Sequence, residues 1–156
     1  MSVSFDQIDI SILRELQTRP GQSQRELAER VGLSQNACWR RLKRLETEGI
    51  LKGTTAVIDR HALGLDLVVF MMLKTRHHSA AWLKQFHGWV TAIPEVVDVY
   101  RIAGDYDYML RIVTRDMAGY DRVYRRLIEK LELDTVTSYF AMEALAEGRP
   151  LPLDGA

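Results

Sequence analysis

Cys38 is the only cysteine in the 156 residues, which excludes an internal disulfide and any all-cysteine metal site. Net charge is missing too: 21 basic side chains balance 21 acidic ones, so the whole chain is no electrostatic magnet for nucleic acid or an anionic surface. No apolar run approaches the ~18 residues that a membrane span needs. Near the N-terminus, Asp6, Gln7 and Asp9 interrupt the apolar residues, which argues against a secretory signal. A Gly-rich phosphate loop, an internal repeat and a low-complexity tract are all lacking, and no nucleophile–base pair can be read from the spacing. His61, His77, His78 and His87 do not fall at metal-ligand intervals. The expectation is a soluble cytoplasmic protein, not an enzyme, with no metal and no cofactor.

What the chain does have is a 47% hydrophobic composition, enough to core one ordinary domain or two small ones. Its first third reads as helical. Ile8, Ile12 and Leu16 recur every four residues from Asp6 to about Thr18, and Pro20-Gly21 ends the run. Ser23 with Glu26 three residues on forms a capping-box pattern, followed by Leu27, Ala28 and Val31 up to Gly32. Ser34 then caps a third helix with Cys38, Leu42 and Leu45 on one stripe, closed by Gly49. Two short helices joined by a Gly-containing turn are a helix-turn-helix. Residues 50–58 read as a small strand or wing, and 61–64 as one helical turn.

From Asp66 the pattern becomes strand, helix, strand, strand, helix, strand, the ferredoxin-like βαββαβ order. The strands are placed at 67–75, 96–102, 108–113 and 135–142, the helices at 80–92 and 117–131. The expected fold is therefore α+β: a winged helix-turn-helix over 1–60 with wing and linker at 50–64, a βαββαβ domain over 65–148, and a loose tail at 149–156. In the first strand Leu67, Val69, Met71 and Leu73 point one way while Val68, Phe70 and Met72 point the other. Two helices can cover only one of these apolar faces. A second copy of the chain is the expected cover for the other, and the N-terminal domain is the competing candidate.

Charge is concentrated where function is expected. Arg40, Arg41, Lys43 and Arg44 fall within five residues, on the helix whose buried stripe faces away from them. Gln35, Asn36, Trp39 and Arg40 are assigned to base edges, because Asn and Gln pair with adenine and Arg with guanine. Ser34, Arg41, Lys43 and Arg44 are assigned to phosphates of double-stranded DNA. The plainer alternative is a solvated basic face. Cys38 fits the buried stripe better than a redox switch. In the tract Ala103-Gly104-Asp105-Tyr106-Asp107, Gly lets backbone N–H groups approach a carboxylate, and the aspartates can accept from an ammonium group. By itself the tract reads first as a hairpin turn.

These residues resemble the Lrp/AsnC family of bacterial and archaeal feast/famine regulators. DQIDISILREL (residues 6–16) looks like the family's opening helix, ELAERVGLSQNACWRRLKRLETEGIL (26–51) like its helix-turn-helix, and GDYDYMLRI (104–112) like its C-terminal motif. The resemblance implies a nucleoid-associated regulator that pairs through its sheets into a homodimer and assembles further into an octamer. It also implies an effector amino acid bound between dimers near Ala103, Gly104, Asp105, Tyr106 and Asp107, with Thr135, Thr137 and Ser138 contributing. CWRRLKRLE, KTRHHS and SYFAME look like the branch concerned with cysteine and related sulfur amino acids. Leu133-Asp134-Thr135 departs from the Gly-containing turn of many relatives. An effector-independent architectural DNA binder is the alternative; an amino-acid storage or metabolising domain is a more remote one.

Overall fold

The computed structural model describes residues 6–153. Its elements are α1 (Gln7–Thr18), α2 (Gln24–Arg30), α3 (Gln35–Thr47), β1 (Leu67–Lys74), α4 (Ala80–Thr91), β2 (Val96–Arg101), β3 (Tyr108–Thr114), α5 (Met117–Lys130) and β4 (Thr135–Phe140). They divide into two compact units, Met1–Ile58 with Ala146–Ala156, and Asp59–Leu145.

In the first unit Ile12, Leu27, Ala28, Cys38 and Leu45 form the core, with Leu13, Leu16, Leu42 and Ile50 packed around it. The three helices start where side chains satisfy their free N–H groups. Asp6 accepts from the Ile8 and Asp9 N–H groups, Ser23 from Glu26, and Ser34 from Ala37. The turn between α2 and α3 needs a left-handed residue, and Gly32 supplies it at φ 69°. There the Leu33 N–H donates to the Ala28 carbonyl at 2.9 Å. Cys38 is fully buried, and desolvation pushes its thiol pKa up, which fits packing rather than thiolate chemistry.

Two expectations change here. Residues 51–59 carry alternating apolar side chains but form no ladder, so the wing is an extended segment without a partner strand among the described residues. Residues 149–153 are not loose. The Leu151 N–H donates to Gln17 Oε1 at 2.7 Å, and Gln17 Nε2 donates to the Leu151 carbonyl at 3.3 Å. Leu151 and Leu153 also line an apolar cavity of about 370 Å³ with Leu13, Leu16, Ile50 and Leu51. Local periodicity had no means of showing that this segment returns to α1; residues 154–156 lie outside the described residues. Gln17→Ala should leave the helices intact yet speed proteolysis within 146–153. An unchanged cleavage rate would mean that apolar contacts alone hold the segment.

The second unit is one four-stranded antiparallel sheet in the order β2-β3-β1-β4. Val69, Met71 and Leu73 of β1 and Leu110 and Ile112 of β3 point to the side covered by α4 and α5, where they meet Phe86, Val90, Val123 and Leu127. Trp82 stacks on Phe86 with ring centroids 5.1 Å apart. The opposite face carries Phe70 and Met72, with Met109, Tyr100 and Tyr139 beside them in register. Tyr100 and Tyr139 are 52% and 55% exposed, so neither α4 nor α5 covers this face around them, although Val68 at its end is buried. At residues 60–64 the expected helical turn is present, closed by the Gly64 N–H donating to the His61 carbonyl.

Candidate nucleic-acid interface and effector loop

Helix α3 buries Cys38 and Leu45 and leaves Gln35, Asn36, Trp39, Arg40 and Lys43 exposed. The pairs 35/39, 36/40 and 39/43 are four apart and 40/43 three apart, so the five share one face of the helix. Trp39 is 47% exposed, unusual for a side chain with so much apolar surface to hide. Ser34 is exposed, and its hydroxyl oxygen accepts from the Ala37 N–H, leaving its own O–H available to a phosphate. Lys43 reaches Glu46 at 2.7 Å, a surface pair that a phosphate can displace.

The two remaining cations behave differently from expectation. Arg41 Nη1 donates to Asp6 Oδ2 and to Asp9 Oδ1, both at 2.8 Å. Arg44 Nη2 donates to Asp9 Oδ2. Asp9 is fully buried, and Arg41 is only 27% exposed. Both guanidinium groups assigned to phosphates are therefore engaged by carboxylates of α1 and its cap. The Asp9 N–H, then the Arg41 guanidinium, hold the Asp6 carboxyl below the usual carboxylate range. Asp9, with Asp6 beside it, raises the Arg41 pKa further. Sequence reasoning missed Asp6 and Asp9 as partners of α3. The signal was an acidic pair at the start of one helix, which reads first as a capping box.

In the second unit the loop 102–107 joins β2 to β3 and is closed by the Ile102 N–H donating to the Asp107 carbonyl at 2.9 Å. Gly104 sits at φ 128°, a conformation that side chains disfavour, and its backbone is open to approach. Ala103 and Asp105 are exposed. Asp107 is not: its Oδ2 accepts from the Thr75 N–H at 2.8 Å, so the carboxylate caps the end of β1. Of the two aspartates expected to meet an ammonium group, only Asp105 is left open to one. Tyr106 turns toward β4, and its hydroxyl donates to Thr137 Oγ1 at 3.0 Å. The neighbouring Tyr106 phenol also pushes the Tyr139 phenol pKa up.

Thr135 is exposed on β4, with the same strand parity as Thr137. Ser138 lies on the other face, hydrogen-bonded to the Tyr120 hydroxyl at 2.6 Å. The structure thus joins Tyr106 with Thr137 and separates Ser138 from them. At the departure noted in the sequence, the Asp134 N–H donates to the Lys74 carbonyl at 2.8 Å, and its carboxylate pairs with Arg76 at 2.7 Å. Among the described residues no group of His, Cys, Asp and Glu forms a metal-binding cluster, and no helix is long and apolar enough to cross a membrane.

Comparison with known proteins agrees with this division. Residues 5–52 match the model of a winged helix-turn-helix DNA-binding domain, and residues 68–151 that of the Lrp/AsnC ligand binding domain. The chain is 44% identical to the DNA-binding transcriptional activator DecR of Escherichia coli K12 over 151 residues, 96% of this chain and 99% of that protein. It is 40% identical to the glutamate uptake regulatory protein of Zymomonas mobilis, over 96% of this chain and 91% of the relative. A crystal structure of an AsnC family regulator from Agrobacterium tumefaciens superposes with a TM-score of 0.91 at 42% identity, covering 96% of this chain and 98% of the other. A regulator from Neisseria meningitidis, solved as an L-Met complex, superposes at 0.88 with 29% identity, covering 97% and 98%. The chain belongs to the Lrp/AsnC family of DNA-binding transcriptional regulators.

Proposed function

We propose that this regulator reads DNA through the N-terminal half of α3 and is controlled by a small α-amino acid bound at the 103–107 loop. The observation that carries the DNA reading is the exposed face of Gln35, Asn36, Trp39 and Arg40 on the second helix of a capped helix-turn-helix. In such a motif these positions enter the major groove, where Arg meets guanine and Asn or Gln meets adenine. Ser34 and Lys43 lie at the edge of that face and set register on the phosphates.

A homodimer forms through the open sheet face and presents two reading helices to half-sites one helical turn, or a multiple, apart. Dimers assemble into an octamer on which DNA bends across several sites. The protein works in the cytoplasm, associated with the nucleoid, without a cofactor or catalytic step.

For the effector, backbone N–H groups around Ala103 and Gly104 take the carboxylate and Asp105 takes the ammonium group, while Tyr106 and Thr137 line the side-chain end. Thr135 stands nearer this group than Ser138, which is engaged with α5. A sulfur amino acid is the leading class. Its support is the resemblance of the CWRRLKRLE and SYFAME stretches and the similarity to a protein solved with L-Met. Screening the free amino acids, with cysteine, homocysteine and methionine among them, by thermal shift tests this. Tight binding to the folded state raises stability by about 2.7 kcal/mol at a hundred times Kd. DNA footprints with and without the stabilising amino acid should then differ. No thermal shift with any of them, and unchanged footprints and assembly size, would favour the architectural DNA binder instead.

A further inference from the structure

The cationic run of α3 divides into two stripes. Arg40 and Lys43, three residues apart, are exposed on one face, whereas Arg41 and Arg44, also three apart, meet α1, Arg44 while still 42% exposed. Asp9 completes that second stripe. Its Oδ1 accepts from Arg41, and its Oδ2 accepts from Arg44 and from the Asp6 N–H. A fully buried carboxylate is costly unless it is paired and hydrogen-bonded, and here both oxygens are occupied. Apolar packing alone lets a short helix roll by a few degrees. Two guanidinium groups fixed to one buried carboxylate, on a helix turn they share, oppose that roll.

We propose that Asp9 is a positioning residue for DNA recognition: through Arg41 and Arg44 it sets the rotation of α3 about its axis and keeps both guanidinium groups off the phosphates. It touches no base itself. The number of phosphates that α3 neutralises is therefore smaller than its count of cations. The alignment of Asn36, Trp39 and Arg40 with base edges depends on a residue in another helix. This rests on α3 being the reading helix, and the test separates the two claims.

The probes are a duplex selected from a random pool by the full-length protein and an unselected duplex of equal length. Affinity for each is measured across salt concentrations for the wild type and for five variants: Arg40→Gln, Lys43→Gln, Arg41→Gln, Arg44→Gln and Asp9→Asn. On the unselected duplex, Lys43→Gln should flatten the plot of log affinity against log salt by about 0.9 for every phosphate no longer neutralised, whereas Arg40→Gln should lower the selected-to-unselected affinity ratio. Arg41→Gln and Arg44→Gln should leave that slope unchanged while lowering the selected-to-unselected affinity ratio about tenfold. Asp9→Asn should lower the same ratio and steepen the slope, because the freed guanidinium groups reach phosphates. Should Asp9→Asn fail to fold, the two arginine variants still decide the matter. A slope flattened by Arg41→Gln or Arg44→Gln, or a ratio that neither changes, overturns the positioning role. Unchanged slopes and ratios in Arg40→Gln and Lys43→Gln would instead remove α3 as the reading helix.

Discussion

Met72→Arg should leave the protein monomeric at micromolar concentration and reduce its DNA affinity more than any change on α3. Met72 lies in the middle of the sheet face that α4 and α5 do not cover, opposite Met109 on one side and Thr137 on the other. Phe70, Tyr100 and Tyr139 add apolar and aromatic surface there, beside the Arg111–Asp98 ion pair. Pairing two such faces removes them from water. An arginine at position 72, in register with Met109 and Thr137, carries a charge into the centre of that contact. Stranding a charge in this way costs about 3 kcal/mol or more. At 1.4 kcal/mol per tenfold, the dimer dissociation constant rises by at least about a hundredfold. The fold of each unit should survive, because Met72 is not part of the helix-covered core. Analytical ultracentrifugation reads the outcome directly. A variant that stays dimeric would move the interface elsewhere, to the unpaired segment 51–59 first of all.

Arg40→Ala should lower affinity for the selected duplex by about 1–3 kcal/mol relative to an unselected one, the usual worth of a bidentate contact to a base. Arg40 is the one cation of the 40–44 run with no carboxylate bound to it among the described residues. Trp39→Ala should act in the same direction, because the indole's stacking and apolar surface are removed. Fluorescence anisotropy with the two duplexes measures both. Equal reductions on the selected and the unselected duplex would mean that Arg40 binds phosphate and reads no base.

Much of the fold is legible in local spacing. Ser23, Glu26, Gly32 and Ser34 mark the helix-turn-helix because capping and left-handed turns are local demands, met by a few residue types at fixed offsets. Val68 to Met72 announce a sheet apolar on both faces, because strand alternation has a period of two. The Gly104 turn is legible for the same local reason. Ser138 stands apart from the Tyr106–Thr137 pair because strand parity, rather than nearness in sequence, decides which face a side chain takes.

Local spacing therefore determined the helices, the succession of strands along the chain, the exposed polar face of α3 and the turn at Gly104. Tertiary structure alone decided which charges are free. In the sequence Arg41 and Arg44 read as cations as free as Arg40, and only the packing of α1 against α3 brings the buried Asp9 carboxylate to them. Asp107 and residues 149–153 were settled in the same way, by partners 32 and 134 positions distant. The reason is physical: caps and periodicity act within a few residues, whereas an ion pair or a strap needs two distant segments already held side by side.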